Sequence, residues 1–552
     1  MAKYKNYPVE VFGDLREMLR ANAEKYPNKA ALMQKRKNKW QGISYRRLFA
    51  NVNALGTELL LNGLEGKNIL IIGENGVLWA TAYLAVVCGV GTAVPLDKDT
   101  DAEALARVAA FCDAGAVIYS PYLEDRVWAL PENVKRISMG ELSGMIARGR
   151  KRLAGGYRTY LDAELKANEG CTILFTAGST GAPKGVVLSH RNLCHSVAEL
   201  RRMVYLDAND LFLSVLPLHH AYECVGGFLT PLSCGATVAY PADLGTVSDC
   251  MREIRPSVIL TVPVLLESMY RKILIQVRQN GLEKKVGDLI KTTNAIPSRS
   301  LRFSSKKKAF AAIHASFGGH LRLLLTIGDS VNPAVLAGFG DLGITALQAY
   351  GLTECAALGA INRDTYAHLP AAGLATPNIL IDVADMQENG IGEVRIKGEN
   401  VMLGYYKMPK ATERVLRNGW LYTGDLGRLD KNGFLHITGN KKNEILLTEG
   451  VTVFPEELEL LLTRTPYVKE ALVVGARRSD GRGLCPVARL YPDYARLKED
   501  FGEHYSSERV EAELRRAVAN VNAQQPSAKQ IADFEIRRTP FPKSLTGKLY
   551  RK

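Results

Sequence analysis

The chain has 552 residues, of which 47% are hydrophobic and 23% are charged, and these are the proportions of a folded globular protein. They exclude a disordered chain, a collagen-like repeat and a small disulfide scaffold, while the length predicts more than one domain. The formal net charge of +14 suits anionic small molecules, a membrane surface or nucleic acid. Because no basic-aromatic repeat is present, nucleic acid is not expected as a partner.

Two further features bear on the compartment. Nine cysteines are scattered without a CxxC pair, which predicts reduced thiols in a cytoplasmic protein and gives a zinc site almost no basis. The first residues, MAKYKNYPVEVFGDLREML, lack the basic-then-apolar layout of a signal peptide.

Residues 77–96 carry no charge and are long enough to span a bilayer, but Gly89, Gly91 and Pro95 interrupt them. We predict a buried helix followed by a buried strand.

Strands and helices alternate over the first 440 residues. Helices are predicted to start near Asp14 and Ser44, followed by the strand NILIIG, a helix from about Val77, the strand GTAVPL, the helix DAEALARVAAFCDAG and the strand AVIYS. This alternation predicts an α/β fold, with a large N-terminal domain of stacked, mostly parallel sheets covered by helices. The basic runs 35–39 and 148–152 are interpreted as solvated surface, and contact with anionic lipid head groups is the alternative.

The pattern changes after Gly392. The short alternating segments EVRIKG, WLYTGD, GRLD and FLHITG predict strands of a small β-rich subdomain. After GNKKNEIL, helices at PEELELLLTR and SERVEAELRRAVANVN and strands at EALVVGAR and PVARLYP predict a small α+β domain with its own core. We therefore place an N-terminal domain at 1–440 and a C-terminal domain at 441–552.

Residues 171–190, CTILFTAGSTGAPKGVVLSH, are the most informative segment. An apolar strand runs into a loop of glycines and hydroxyl residues with one lysine, and a helix follows from about His190. Backbone N–H groups, hydroxyls and a lysine together make a cradle for phosphate. The candidate phosphate-binding residues are Thr176, Gly178, Ser179, Thr180, Gly181 and Lys184. No register fits a Walker A loop, and a flexible glycine loop without a catalytic role is the alternative.

This segment resembles the phosphate loop of the adenylate-forming superfamily, which includes acyl-CoA synthetases, firefly luciferase and nonribosomal adenylation domains. Four further segments resemble that superfamily in the same order: LPLHHAYE at 216–223, QAYGLTE at 348–354, GWLYTGD at 419–425 and PKSLTGK at 542–548. Five matches in order, spread over essentially the whole chain, make coincidence implausible. The chain is therefore identified as a member of this superfamily.

The resemblance implies a role for each matching residue. Thr176, His220, Glu354 and Lys548 are expected to be catalytic, with Glu354 holding Mg²⁺ against the phosphates of ATP. Asp425 is expected to bind the ribose hydroxyls, and Tyr350 to stack near the adenine or line the acyl pocket. The nucleotide site implied in this way also includes Gly328, Asp329, Ser330, Gln348, Ala349, Gly351, Thr353 and Asn440.

The resemblance also implies a moving C-terminal domain. In the superfamily the small domain rotates after adenylation, which removes the lysine corresponding to Lys548 and opens a path for a thiol. Asn443 is expected at the hinge, where Asp or Lys is usual. His219 is expected to be structural, because its neighbour His220 is the one that matches the superfamily pattern.

Three departures from the superfamily pattern concern the nucleotide. Ala177 stands where Ser is frequent, and the 328–330 segment Gly-Asp-Ser replaces Gly-Gly-Ala. Asn440 occupies the position of an arginine that contacts the nucleotide, and a neutral amide cannot replace a bidentate cation. Lys441 or Lys442 are candidates to compensate.

The substrate is inferred from the residues around the histidine segment. The pattern Pro-Leu-x-His-x-x-Glu resembles long-chain fatty acyl-CoA synthetases, and small residues could leave a long apolar slot, although ordinary close packing of helix against sheet is the alternative. The acyl-pocket candidates are His220, Val225, Gly226, Gly227, Cys355 and Ala356.

We therefore expect an AMP-forming acid–thiol ligase that uses ATP, Mg²⁺ and coenzyme A. It would convert a medium- or long-chain fatty acid to acyl-AMP with release of pyrophosphate, and then to acyl-CoA. The first alternative is an enzyme that loads an acyl or aryl acid onto the phosphopantetheine of an acyl carrier protein. The second is a catalytically lapsed binding or scaffold protein that retains the fold. The expected location is cytoplasmic, with weak peripheral contact at the inner membrane surface as an option.

Overall fold

A computed structural model describes residues 5–37, 39–176, 183–447, 452–477, 484–542, 549 and 551. The chain forms two compact units. The first unit comprises Met1–Ile327, Pro333–Ile381 and Ile396–Leu421, and the second comprises Gly328–Asn332, Asp382–Arg395 and Tyr422–Lys552.

The helices are numbered in chain order. They are α1 Leu15–Lys25, α2 Tyr45–Leu61, α3 Val77–Val87, α4 Ala102–Phe111, α5 Glu124–Val127, α6 Leu142–Ala154, α7 Thr159–Asp162, α8 His190–Met203, α9 Thr230–Ser233, α10 Val247–Ile254, α11 Pro263–Gln279, α12 Glu283–Asn294, α13 Arg299–Ala309, α14 Ala311–Ser316, α15 Pro333–Asp341, α16 Pro409–Val415, α17 Pro455–Thr463, α18 Tyr494–Phe501 and α19 Ser507–Asn522. Short 3₁₀ turns lie at Pro121–Leu123, Leu244–Thr246, Thr353–Cys355, Lys441–Asn443 and Ser527–Lys529, and a π-helix lies at Glu223–Leu229.

The strands are numbered in the same way. They are β1 Ala30–Arg36, β2 Lys39–Ser44, β3 Asn68–Ile72, β4 Thr92–Leu96, β5 Ala114–Tyr119, β6 Lys135–Ser138, β7 Gly170–Thr176, β8 Lys184–Ser189, β9 Leu211–Leu213, β10 Thr237–Tyr240, β11 Val258–Thr261, β12 Leu323–Thr326, β13 Thr345–Tyr350, β14 Ala360–Ile361, β15 Gly373–Ala375, β16 Leu380–Ala384, β17 Gly392–Lys397, β18 Gly404–Tyr405, β19 Leu416–Arg417, β20 Trp420–Leu429, β21 Phe434–Asn440, β22 Ile445–Leu446, β23 Thr452–Val453, β24 Val468–Arg477, β25 Leu484–Pro492 and β26 Asp533–Ile536.

The helix starts expected from the sequence are confirmed by their caps. The Asp14 carboxylate accepts a hydrogen bond from the backbone N–H of Glu17 at the start of α1, and the Ser44 hydroxyl accepts one from Arg47 at the start of α2. Each cap satisfies an N–H group that the helix leaves unpaired.

The uncharged stretch 77–96 forms the buried helix α3 and the buried strand β4, as predicted. Among the described residues, no helix combines the length and apolarity needed to cross a bilayer.

Two sheets of the first unit carry the α/β pattern. One has the order β18-β8-β7-β4-β3-β5-β6, in which the run from β7 to β6 is parallel and β8 and β18 are antiparallel. In the other, β13-β12-β11-β9-β10-β1 form a parallel run, with the antiparallel strand β2 beyond β1 and the antiparallel strands β14 and β15 beyond β13. The predicted mostly parallel architecture is confirmed.

Two local expectations differ from the structure. The sequence predicts a loop running directly into a helix at His190, whereas β8 comes first and α8 begins after Ser189, which forms a capping box with Asn192. The segments WLYTGD and GRLD form the single strand β20, with a register shift between Leu426 and Gly427. In both places a glycine suggests a break in the sequence, but the backbone pairs with a neighbouring strand. β8 runs through Gly185 and pairs with β7, and β20 runs through Gly427 and pairs with β21.

The second unit contains the predicted C-terminal α+β segment. Strands β24 and β25 are antiparallel, β26 is parallel to β25, and α17, α18 and α19 contribute to the same hydrophobic core. That core is built from residues between Ile445 and Ile531, so this part of the chain buries its own apolar side chains. The unit also contains 328–332, 382–395 and 422–440, and the boundary at Asn440 stays a prediction.

Close packing of α6 on α2 gives a testable requirement for a glycine. A Cβ atom added at Gly149 would lie 1.9 Å from the carbonyl oxygen of Ala54, so Gly149→Ala must push the two helices apart. We expect a loss of about 1–3 kcal/mol in the free energy of unfolding, measured by denaturant titration. Gly144→Ala on the same helix is the control, because its nearest neighbour is the Arg148 side chain at 3.6 Å. Helix propensity predicts that this control gains about 0.5–1 kcal/mol; equal losses in both variants would contradict the packing argument.

Candidate active site

The predicted phosphate loop is held at both ends by paired strands. Thr176 is the last residue of β7, Lys184 is the first of β8, and the two are partners in the antiparallel register. Both side chains are half-buried. Residues 177–182, which include Gly178, Ser179, Thr180 and Gly181, lie outside the described residues.

Tyr405 joins the lysine of this loop to the glutamate of the QAYGLTE segment. The Nζ atom of Lys184 lies 4.6 Å from the centroid of the Tyr405 ring, a cation–π distance. The Tyr405 hydroxyl donates a hydrogen bond of 2.8 Å to Oε1 of Glu354. Burial, and then the charge and hydrogen bond of Glu354, raise the pKa of Tyr405, so its phenol stays protonated and remains a donor. The cluster thus places one cation and one carboxylate beside a common aromatic ring.

The turn after Glu354 has an unusual backbone that is held from two sides. Ala356 and Ala357 have φ values of +46° and +72°, a region that L-residues enter only at some cost. The Ser196 hydroxyl donates to the Ala356 carbonyl at 2.6 Å, and the Asn400 amide donates to the Cys355 carbonyl at 2.9 Å. These buried contacts fix the backbone that presents Glu354.

The adjacent histidines His219 and His220 form a second polar group in the first unit. Their ring centroids are 4.4 Å apart, and Nε2 of His219 lies 3.7 Å from a carboxylate oxygen of Asp97. Burial lowers the pKa of His219 to about 4, with the neighbouring His220 adding to the shift, and burial also lowers the pKa of His220. Both rings are therefore neutral at pH 7. The buried Nε2 of His220 has no hydrogen-bond partner among the described residues, which makes it a candidate contact for a ligand.

Tyr222 connects the histidine segment to the strand end that carries the nucleotide candidates. Its hydroxyl donates a 2.6 Å hydrogen bond to the carbonyl of Gly351, directly after β13. A Cβ atom on Gly351 would lie 2.1 Å from the Ala357 carbonyl, so only glycine fits there. The strand-end candidates Gln348 and Ala349 are buried, and Tyr350 and Thr353 are half-buried.

The acyl-pocket candidates are buried, but the space beside the glycines is filled. Val225, Gly226 and Gly227 lie in the π-helix, and Cys355 and Ala356 lie in the turn after Glu354. A Cβ atom on Gly227 would meet the Glu223 carboxyl group at 2.5 Å, and one on Gly226 would meet Leu260 at 3.2 Å. These glycines allow close packing, and a slot at this place stays a prediction.

Glu223 is a buried carboxyl group that the sequence indicates only as the last residue of the LPLHHAYE segment. Its side chain is fully buried, and burial raises its pKa to about 8. The Ser214 hydroxyl donates to Oε1 at 2.5 Å, while Oε2 has no partner among the described residues. The signal in the sequence is a single glutamate ahead of the apolar segment CVGGFL. The structure places it at the start of a π-helix, a form common at functional sites.

In the second unit, Asn440 pairs with the predicted ribose ligand. Its amide donates a 2.8 Å hydrogen bond to Oδ1 of Asp425 across the β20–β21 pair. Lys441 donates to Glu393 at 3.0 Å. The amide of Asn443 donates to Glu456 at 2.6 Å. Asn440 therefore orients the carboxylate that the sequence assigned to the ribose.

The remaining second-unit candidates form a short turn or are not described. Gly328 has a φ of +110°, and the Ser330 N–H donates to Asp329 at 2.8 Å. Lys548 lies outside the described residues. Sequence reasoning did not single out Asp97, Tyr222 or Tyr405, because their roles come from contacts between distant segments.

Comparison with known proteins identifies the family. A family model for AMP-binding enzymes matches residues 19–406. The protein "Long-chain-fatty-acid--CoA ligase 5" of Rattus norvegicus is 31% identical over 479 residues, covering 79% of this chain and 69% of that protein. "Long-chain-fatty-acid--CoA ligase ACSBG2" of Xenopus laevis is 25% identical over 502 residues, covering 84% and 68%. The chain belongs to the AMP-binding enzyme family.

Solved structures show the same fold. The ATP-bound MatB protein of Rhodopseudomonas palustris superposes with a TM-score of 0.77 at 22% identity, covering 98% of this chain and 97% of that one. A fatty acyl CoA synthetase of Mycobacterium tuberculosis gives a TM-score of 0.67 at 21% identity, with coverage of 97% and 96%. The adenylate-forming fold and the superfamily inferred from the five motifs are confirmed.

The buried Glu223 predicts a specific pH dependence of stability. Its pKa in the folded chain, about 8, lies above its ordinary value of 4.5, so the folded state holds a proton that the unfolded state releases. Stability from the neutral carboxyl group is complete below about pH 4.5 and is lost as the pH rises towards 8. Glu223→Gln keeps the acceptor for Ser214 and cannot ionise. We expect its melting temperature to exceed that of the native chain increasingly from pH 5 to pH 9.

The exposed Glu388→Gln is the matched control for this comparison. Its melting temperature should follow the native chain across the same pH range. A constant offset between Glu223→Gln and the native chain would show that Glu223 is ionised throughout.

Proposed function

We propose that this chain is an AMP-forming ligase that joins a long-chain fatty acid to coenzyme A. The observation that carries the proposal is the cluster in which Lys184, at one end of the phosphate loop, lies against the Tyr405 ring, while the Tyr405 hydroxyl bonds to Glu354. The family match and the relatives named as long-chain fatty acid–CoA ligases support it. In the first half-reaction the carboxylate attacks the α-phosphorus of ATP and pyrophosphate leaves. In the second, the thiol attacks the acyl carbon and AMP leaves.

The residues of the first unit suit the first half-reaction. Lys184 would supply a positive charge for phosphate oxygens, and we propose that the loop after Thr176 binds them through backbone N–H groups, as the superfamily resemblance implies. Glu354 is a half-buried carboxylate of the kind that binds Mg²⁺ together with phosphates, and Tyr405 limits its motion through one oxygen. Magnesium bound there would neutralise charge on the phosphates. Neutral His220 would hold the substrate carboxylate through its unpartnered Nε2.

The residues of the second unit suit nucleotide binding and a change of state. Asp425, oriented by Asn440, would accept hydrogen bonds from the ribose hydroxyls. We propose that Lys548 stabilises charge on the α-phosphate during adenylation. We also propose that rotation of the C-terminal domain about Asn443 then removes Lys548 and admits the thiol.

A panel of acids tests the proposed reaction directly. Pyrophosphate release is measured with short-, medium- and long-chain fatty acids and aryl acids, and thioester formation with coenzyme A or an acyl carrier protein as acceptor. We expect ATP-dependent pyrophosphate release with long-chain acids and thioester formation with coenzyme A. Preference for an aryl acid or a carrier protein would favour the alternative ligase. A folded chain that releases no pyrophosphate with any acid would be a binding protein that retains the fold.

Substitution of Glu354 tests its assignment as the metal ligand. Glu354→Gln keeps the size and the acceptor for Tyr405 but removes the charge, so pyrophosphate release should fall by about a hundredfold or more. Tyr405→Phe is the matched control: it keeps the carboxylate and loses one hydrogen bond, so the fall should be about tenfold or less. Near-normal activity of Glu354→Gln at limiting magnesium would reject the assignment.

Lys548 allows the two half-reactions to be separated. If it acts only in adenylation, Lys548→Ala should slow acyl-AMP formation by orders of magnitude, in kcat as well as kcat/KM. Supplied with preformed acyl-AMP and coenzyme A, the same variant should form thioester at close to the normal rate. Asn443→Pro, which fixes φ at the proposed hinge, should do the reverse. Equal damage to both half-reactions in Lys548→Ala would contradict domain rotation.

A further inference from the structure

The longest helical connection of the described first-unit sheets carries no residue of the candidate site. Strands β11 and β12 are adjacent and parallel, and one helix is enough to connect such a pair. Here the chain instead forms α11, α12, α13 and α14 between them. We call residues 263–320 the helical excursion. Its length beyond what the crossover requires calls for a separate explanation.

The helical excursion holds an uneven share of the positive charge. It contains eleven lysines and arginines against three acidic residues, a net charge of +8 within a chain whose total is +14. Nine of those eleven cations are exposed. The exceptions are Arg302, which is half-buried, and Lys306, which donates a hydrogen bond to the Gly340 carbonyl. Arg278 lies 3.7 Å from Glu283, and Lys306 lies 3.7 Å from Asp341. With eleven cations and three acidic residues, the segment stays positive even where cations pair with its own carboxylates.

The same helices expose large apolar side chains. Of the exposed large hydrophobic residues in the described structure, six lie between positions 264 and 303: Val264, Leu274, Ile275, Leu282, Leu301 and Phe303. Leu274 and Leu301 are 50% and 63% exposed. A soluble surface normally scatters such residues, and their concentration on adjoining helices indicates a binding surface.

Charge and apolar surface occur together on one face of α11. Arg271, Leu274, Ile275 and Arg278 are all exposed and stand at i, i+3, i+4 and i+7, the spacing of a single helix face. Exposed aliphatic groups with arginines on both sides suit a lipid interface, where apolar side chains enter the acyl region and long cationic side chains reach the head groups. Polyanions such as nucleic acid would require the charges but not the exposed leucine and isoleucine.

We propose that the helical excursion is a docking surface for an anionic lipid bilayer, in which α11 to α13 lie on the membrane surface. Lysines and arginines provide electrostatic attraction to acidic head groups, and Leu274, Ile275, Leu282 and Leu301 provide shallow apolar insertion. The contact is peripheral. The proposal rests on charge and exposure alone, and it holds whatever acid the site activates.

Vesicle co-sedimentation tests the proposal without ATP, acid or coenzyme A. The full chain is mixed with phosphatidylcholine vesicles that either contain or lack phosphatidylglycerol. We expect binding only to the anionic vesicles, with affinity that falls as salt is raised because the charges are screened. Equal binding to both vesicle types, or none to anionic vesicles at low salt, would overturn the proposal. Binding to heparin without binding to vesicles would overturn it in favour of a soluble polyanion.

Paired substitutions locate the surface. Lys284→Glu with Lys285→Glu reverses two exposed charges on α12 and should weaken vesicle binding at least about tenfold. Lys151→Glu with Arg152→Glu makes the same charge change on exposed positions of α6 and is the matched control, which should bind nearly as the native chain does. Equal weakening by both pairs would show an effect of net charge alone and overturn the assignment to the excursion.

A third variant tests the apolar component. Leu274→Ser with Ile275→Ser leaves every charge in place and should also weaken binding, because both side chains are exposed and would lose their insertion into lipid. Unchanged binding would overturn the lipid-insertion part of the proposal. Melting temperatures of all three pairs, which we expect to match the native chain because the positions are exposed, distinguish loss of binding from loss of fold.

Discussion

The hydrogen bond from Tyr405 to Glu354 is the contact on which the candidate site depends. Tyr405 belongs to β18, which pairs with β8 so that Tyr405 faces Val186 in register, two residues after Lys184. The sheet thus fixes the tyrosine, the hydroxyl fixes the glutamate, and the ring face meets the lysine. Three chain segments far apart in sequence are held at one point by backbone pairing that does not depend on the ligand. The Tyr405 side chain thus contacts both Lys184 and Glu354, whereas two such charged groups could otherwise form a direct ion pair.

Burial sets the charge state of the polar groups in the first unit. Desolvation penalises the charged form of a side chain, so it lowers the pKa of His219 and His220 and raises that of Glu223. At pH 7 both rings and most of the Glu223 carboxyl groups are neutral. Buried neutral groups can donate and accept hydrogen bonds without bringing their own charge next to the phosphates of a nucleotide. Beside these groups, the described first-unit site contains the lysine Lys184 and the acidic side chains Glu354 and Asp97.

The positive charge of the chain is unevenly distributed along the sequence. In the run 35–39, Lys35 pairs with Glu253 at 2.7 Å, and in the run 148–152, Arg148 pairs with Glu58 at 3.0 Å. Each run thus has a cation paired with a carboxylate of another segment, and the interpretation of both runs as solvated surface stays a prediction. The helical excursion differs, since its cations far outnumber its acidic residues and stand beside exposed aliphatic side chains. Net charge alone could not separate these cases, because composition carries no information on where charged and exposed aliphatic side chains lie together.

The sequence by itself determined the class of the protein and most of its elements. Periodicity, caps such as Asp14 and Ser44, and five ordered motifs depend on residues close together in the chain, so local physics and pattern are enough to read them. Tertiary structure decided what the motif residues touch. The close approach of the Glu223 carboxyl group to Gly227 depends on the π-helix that contains both residues. The pairing of Tyr405 with Glu354 and the contact of Asn440 with Asp425 join residues that no local pattern specifies. They arise because strand pairing brings distant segments together and burial then changes their charge and packing.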